Sequence, residues 1–170
     1  MHGRLLRGCC LAVLFLLSTG VQAHYHQKQI GIEEGLSQPT VSTVVPDNHG
    51  NIWIGTRFGL NRYRNGHIKR YIDNNGDAPV ITGNQVGFLY MDSLQRLWVS
   101  TDLGLSLYSE TRDVFERTRT EAVLCASETP ETLFFGGYEG LLLYNKATGI
   151  YERELPENEV PVILAIYPEE

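Results

Sequence analysis

Residues 47–63 read DNHGNIWIGTRFGLNRY, and this stretch decides the fold. Asp47, Asn48, His49, Gly50 and Asn51 form a run of turn formers. Ile52-Trp53-Ile54 has the β-branched and aromatic composition of a strand. Gly55-Thr56-Arg57-Phe58-Gly59 turns the chain again, and Leu60-Asn61-Arg62-Tyr63 alternates apolar with polar, as a half-buried strand does.

The unit recurs. DSLQRLWVSTDLGLSLY runs from Asp92 to Tyr108, and a looser copy, ETPETLFFGGYEGLLLY, runs from Glu128 to Tyr144. Trp53, Trp98 and Phe134 align at steps of 45 and 36 residues. Gly59, Gly104 and Gly140 keep those steps, as do Leu60, Leu105 and Leu141, and Tyr63, Tyr108 and Tyr144. Repeats near 40 residues made of short strands predict an all-β fold, a β-propeller with one four-stranded blade per repeat. In such a fold the repeated Trp and Tyr rings fill the space between adjacent blades; sugar stacking on the Trp rings is the alternative role.

Outward from the quoted stretch, blade one covers 37–73, with strands at 40–45, 52–56, 60–64 and 67–72. Pro46 ends the first strand, and Asn65-Gly66 makes a type I′ hairpin turn because both residues accept positive φ. Blade two (84–119) is expected to hold strands at 86–91, 97–101, 105–108 and 114–118. Blade three (120–157) is expected to hold them at 122–127, 133–136, 141–144 and 150–155, with Thr148-Gly149 turning its last hairpin. Tyr71, Phe115 and Tyr151 mark the fourth strands. Residues 160–170 begin a fourth blade, with a strand at 160–167. Residues 24–36 are a lead-in that can close the ring by pairing with its last blade. Three blades and one strand do not complete a wheel, which takes about four to eight blades. The chain is therefore expected to be the N-terminal piece of a longer protein.

Residues 1–23 read as a secretory signal peptide: Arg4 and Arg7 start it, Cys9–Leu17 is its apolar stretch, and Val21-Gln22-Ala23 supplies the cleavage site. The apolar run is shorter than the roughly 20 residues that cross a bilayer. Cys9 and Cys10 precede it, whereas a lipidated cysteine would follow. Cleavage removes these two arginines and no acid, so the net charge of the chain moves from −6 to −8. That balance argues against nucleic acid as a partner. Of the three cysteines only Cys125 remains, set among Val123, Leu124 and Ala126 and expected to be a small apolar filler.

His24 and His26 would open the mature chain, where a free amine with a His at position three can chelate copper(II); a solvated terminus is the expectation. In the loop 73–84, Asp73, Asn75 and Asp77 alternate like a calcium loop. Ala78 and Asn84 stand where Gly and Glu would be required, so a polar loop without metal is expected. The sequence has no Gly-rich phosphate loop, no HExxH and no nucleophile turn tied to a Ser-His-Asp trio. No cofactor is implied and the chain reads as non-catalytic. The turns between second and third strands are the best ligand candidates, since exposed loops on a rigid scaffold carry recognition. They present Arg57 and Phe58, Asp102 and Leu103, and Tyr138 and Glu139. Arg57 can take a carboxylate or sulfate, Phe58 and Tyr138 can stack on a sugar, and Asp102 and Glu139 can accept from its hydroxyls.

Gly35–Asp47 (GLSQPTVSTVVPD) followed by Gly50–Tyr63 resembles the two-component regulator propeller repeat. Asp47, Gly50, Trp53, Gly55, Thr56, Gly59, Leu60, Arg62 and Tyr63 match its pattern. Blade two keeps Asp92, Trp98, Thr101, Gly104, Leu105 and Tyr108 but has Gln95 and Ser100 in place of two glycines; blade three has Phe134 and Gly137 for Trp and Thr. The resemblance implies the periplasmic sensor part of a hybrid sensor histidine kinase of the Bacteroidetes kind. That part would be tethered to the inner membrane and act as a homodimer on an unknown small ligand such as an oligosaccharide. The output would be a phosphorelay, or a diguanylate cyclase in a smaller part of the family. Two other readings stand beside it: a secreted propeller enzyme acting on polysaccharide, for which Asp102 and Glu139 are the only hints, and a scaffold for protein partners.

Overall fold

The computed structural model describes residues 27–73, 81–153 and 162–167. Residues 1–23, expected to be a signal peptide, His24, His26, Asn75, Asp77 and residues 154–161 lie outside the described residues. Among the described residues twelve strands form three separate four-stranded antiparallel sheets, each in simple up-and-down order, with no helix. Blade one holds β1 (Val41–Pro46), β2 (Ile52–Thr56), β3 (Gly59–Arg64) and β4 (His67–Tyr71). Blade two holds β5 (Val86–Met91), β6 (Leu97–Thr101), β7 (Gly104–Ser109) and β8 (Val114–Arg119). Blade three holds β9 (Val123–Glu128), β10 (Thr132–Gly137), β11 (Gly140–Asn145) and β12 (Tyr151–Arg153).

The third strand of each blade starts one residue earlier than the apolar pattern predicts. It starts at the repeated glycine, which pairs directly with Thr56, Thr101 or Gly137. These glycines have φ of 99°, 124° and 88°, left-handed values that L side chains resist. At Gly104 an added Cβ would also strike the carbonyl oxygen of Arg119. In blades one and two the Thr hydroxyl closes the two-residue turn. Thr56 Oγ1 donates to Gly59 O and accepts from Phe58 N, and Thr101 Oγ1 pairs likewise with Gly104 O and Leu103 N. Asn65 and Gly66 both have positive φ, as a type I′ turn requires.

The core lies between blades. Trp53, Leu60 and Tyr71 of blade one pack on Val86, Leu89, Leu97, Val99 and Phe115 of blade two. Trp98 and Leu105 of blade two pack on Val123, Leu133, Phe135, Leu142 and Tyr144 of blade three. Phe134 and Leu141 hold the same columns as Trp53 and Leu60 but are only half-buried, because no described blade covers their face of blade three. Tyr71 is not the register partner of Phe115 and Tyr151. It pairs with Leu60, whereas Phe115 and Tyr151 pair with the repeat tyrosines, as Ile68 does with Tyr63.

Residues 27–36 and 162–167 make no ladder with the three described blades. Residues 27–36 form a turn, closed by Gly35 N to Ile32 O and Leu36 N to Gly31 O, laid across the face of blade one that points away from blade two. Leu36 is buried there, Lys28 reaches the Tyr63 hydroxyl, and Ser37 exchanges hydrogen bonds with the Asn61 amide. The polar Asn61 and Thr56 side chains already offered this side partners, and that favours covering a face over extending an edge. Residues 162–167 carry no ladder. Ile163 N donates to Gly137 O, and its side chain presses on Gly136 beside Cys125, much as Val86 presses on Gly55 beside Thr43. The half-buried Cys125 thiol, raised in pKa by that burial, lies 3.6 Å from Ile163 O.

Candidate functional site

In each blade the turn between second and third strands lies at the same end as the connection to the next blade, because the strands simply alternate in direction. Arg57 and Phe58, Asp102 and Leu103, and Tyr138 and Glu139 therefore stand at one end of the molecule, two per blade, all exposed. Phe58, Leu103 and Tyr138 expose about half or more of their surface, so this end carries an interrupted apolar rim. Asp102 is not offered wholly to solvent. Its Oδ1 accepts from Gln85 N, its own N donates to Gln85 O, and it abuts Gly83 in the connection between blades one and two. Glu139 borders a small crevice with Glu121, Ala122 and Phe135. Asn84, the twelfth residue of the calcium-like loop, clasps its neck instead: Asp73 N donates to Asn84 Oδ1 and Asn84 Nδ2 to Asp73 O. Among the described residues no three His, Cys, Asp or Glu side chains gather to hold a metal ion.

At the opposite end, polar networks tie the wedges. The turn aspartates accept the indole N–H six residues on: Trp53 Nε1 to Asp47 Oδ2 at 2.9 Å and Trp98 Nε1 to Asp92 Oδ2 at 3.0 Å. Despite partial burial, the Asn51, Trp53 and His49 donors lower the Asp47 carboxyl. Each Trp meets the next blade's repeat tyrosine edge-on, Trp53–Tyr108 at 4.9 Å and Trp98–Tyr144 at 5.0 Å. A guanidinium caps each pair. Arg62, on β3, sits 5.5 Å from the Trp53 ring; Arg96, in the turn before β6, sits 5.5 Å from Trp98 and 5.3 Å from Tyr144. The same cation position is thus filled from two different places in the repeat.

Asp113 completes the first wedge. Its Oδ1 accepts from Tyr108 OH at 2.6 Å, Tyr71 OH at 2.7 Å and Arg62 Nη1 at 3.3 Å, and its Oδ2 from Lys69 Nζ. Partial burial would raise the carboxyl, but the Lys69, Tyr108 and Tyr71 donors and the Arg62 charge outweigh it and hold it at about 2. Burial and the Asp113 bond push the Tyr108 phenol up to about 12. In the second wedge Glu128 stands six residues before Phe134, where blades one and two have Asp before Trp. Phenylalanine has no indole N–H, and Glu128 instead reaches back to Ser93 N and Oγ and to Lys146 Nζ. Asp113, Arg96 and the Glu128–Lys146 pair were not singled out by sequence; the column position of Glu128 is the one signal that pointed to any of them.

Residues 35–58 match the family model described as the two component regulator propeller. The extracellular domain assigned to the hybrid two component system BT3049 of B. thetaiotaomicron superposes with a TM-score of 0.66 at 25% identity, over 75% of this chain and 20% of that one. Residues 35–58 thus carry a two-component regulator propeller repeat, and the chain shares the fold of that extracellular domain. Two structures of the BT4673 extracellular domain from the same organism, one assigned to a one component and one to a hybrid two component system, share the fold. Their TM-scores are 0.64 and 0.63 at 14% and 15% identity, over 84% of this chain and 20% of each. This repeat chain thus spans about a fifth of the length of those solved relatives. No curated protein matches it.

Proposed function

We propose that this chain is part of the extracytoplasmic ligand-sensing region of a membrane receptor that signals through a phosphorelay. The observation that carries the reading is the similarity, over three-quarters of this chain, to the extracellular domain assigned to a hybrid two component system. The leader-like residues 1–23 fit export, with tethering supplied by the remainder of the protein. The ligand, an oligosaccharide in this reading, meets the rim of Arg57, Phe58, Asp102, Tyr138 and Glu139 together with rim residues of further blades. Its binding favours one packing of propellers or protomers over another, and the differential affinity is what drives the output. A secreted enzyme is the weaker reading, since Asp102, one of its two acids, is engaged by Gln85.

The test is calorimetry of the whole extracytoplasmic region against plant and host oligosaccharides. One glycan class is expected to bind, and Arg57→Ala with Phe58→Ala is expected to weaken it at least tenfold. Residues 1–170 alone are expected not to bind. Unchanged affinity in the rim variant, or tight binding by the isolated chain, would overturn the reading.

A further inference from the structure

The two wedges close differently at the end opposite the rim. In the second, Glu128 accepts from Ser93 N and from Ser93 Oγ, both at 2.9 Å, and Lys146 reaches Ser93 Oγ at 3.1 Å and Glu128 at 2.6 Å. The Lys146 side chain is 5% exposed there. In the first wedge the matching residues do not meet. Asp92, at the column of Glu128, is held by its own Arg96 and Trp98. Asn48, at the column of Ser93, donates its N–H to Gln95 Oε1 at 3.3 Å. Glu110 stands two residues past Tyr108, as Lys146 stands two past Tyr144. Its side chain is 69% exposed, and its Oε1 lies 3.5 Å from Nδ1 of the half-exposed His49.

A cleft of about 260 Å³ opens where that closure is missing, among the turn before β2, the turn before β6 and the turn after β7. Pockets for drug-sized ligands run from roughly 300 to 1,000 Å³, so this one suits a smaller molecule. Arg62 and Glu110 both line it, with the apolar Leu94 and Met91. Arg62 is a quarter exposed and spends Nη1 on Tyr108 OH and Asp113; its Nε and Nη2 take no part in those bonds. Glu110 faces His49 through one oxygen, which leaves Oε2 for a donor. Leu94 is exposed over more than half of its surface. The other charged groups of the lining are committed. Asp47 accepts from His49 N, Asn51 N, Asn51 Nδ2 and Trp53 Nε1, and Arg96 serves Asp92 and Tyr144.

We propose that this cleft binds a free α-amino acid with an apolar side chain: the carboxylate accepts from Arg62, the ammonium donates to Glu110, and the side chain lies on Leu94 and Met91. Opposite charges displayed in one small cleft fit a zwitterion. Glu110 disfavours a plain anion and Arg62 a plain cation. The ligand bridges blade one, which supplies Arg62, and blade two, which supplies Glu110 and Leu94. It thereby does for the first wedge what Glu128 and Lys146 do for the second. The site lies at the end opposite the rim and is independent of the rim's ligand.

The test is calorimetric titration of the full chain with L-leucine, beside isoamylamine, which lacks the carboxylate, and 4-methylpentanoate, which lacks the ammonium. L-leucine is expected to bind saturably, and each analogue more weakly by about tenfold or more. Glu110→Gln keeps the size of an exposed side chain and removes its charge. It should leave the denaturation midpoint in place and weaken L-leucine by about tenfold or more. No saturable heat with L-leucine, an analogue that binds as well as L-leucine, or native affinity in Glu110→Gln would overturn the proposal.

Discussion

Replacing Asp113 by Asn tests whether the first wedge is held by charge. The substitution keeps an oxygen for the tyrosines but removes the negative charge facing Arg62 and Lys69. A carboxyl held at about 2, against an ordinary value of 3.8, carries about 2 kcal/mol of stability at neutral pH. About a third of the side chain is open to solvent, where screening weakens the attraction, so we expect about 1–1.5 kcal/mol. The folded value lies below the unfolded one. The contribution is therefore complete above about pH 5, falls as acid protonates the unfolded chain and then the folded one, and is gone near pH 1 to 2. Urea denaturation followed by tryptophan fluorescence, at intervals from pH 7 down to pH 2.5, should show the native chain and the variant converging as pH falls. The loss should also shrink in 1 M salt. A stability gap that stays constant across this range would mean that Asp113 acts by shape, and the charge argument would fail.

Three glycines separate backbone strain from crowding. Gly104→Ala should cost several kcal/mol, because positive φ and collision with Arg119 O act together, and should show as a large fall in denaturation midpoint. Gly50→Ala has φ 79° but nothing within 4 Å, so it should cost about 1–2 kcal/mol. Gly87→Ala, in open space without a left-handed φ, should be neutral or stabilising by up to about 1 kcal/mol; a loss above that would refute the steric assignment. Trp98→Phe should cost about 2–4 kcal/mol by thermal unfolding, through lost ring volume and the lost indole bond to Asp92, and Asp92→Asn in that background should then cost less than in the native chain.

The blades were readable before any coordinates because their information is local. Trp, Gly, Leu and Tyr recur at positions fixed by a two-residue strand period and by turns that need positive φ, so counting along the chain recovers sheet order and register. The rim residues were readable for the same reason: a turn between two known strands can lie only at one end. Where locality ended, the reading slipped. Residues 27–36 looked extended, yet they cover a sheet face because Asn61, Thr56 and Tyr63 offered them partners there. Tyr71 sat at the right distance for a column it does not join, since its partner is chosen by the hairpin register.

Sequence alone determined that this protein is built from repeated four-stranded sheets with aromatic faces. Tertiary structure alone decided what those faces do to one another. Asp113 finds Arg62, Lys69 and Tyr71 more than 40 residues away only because blade two docks on blade one. Arg96 and Arg62 occupy like positions from unlike places in the repeat. Contacts of that kind depend on how one sheet leans on the next. Each blade's own hydrogen-bond ladder leaves that packing open, and the side chains in the wedge settle it.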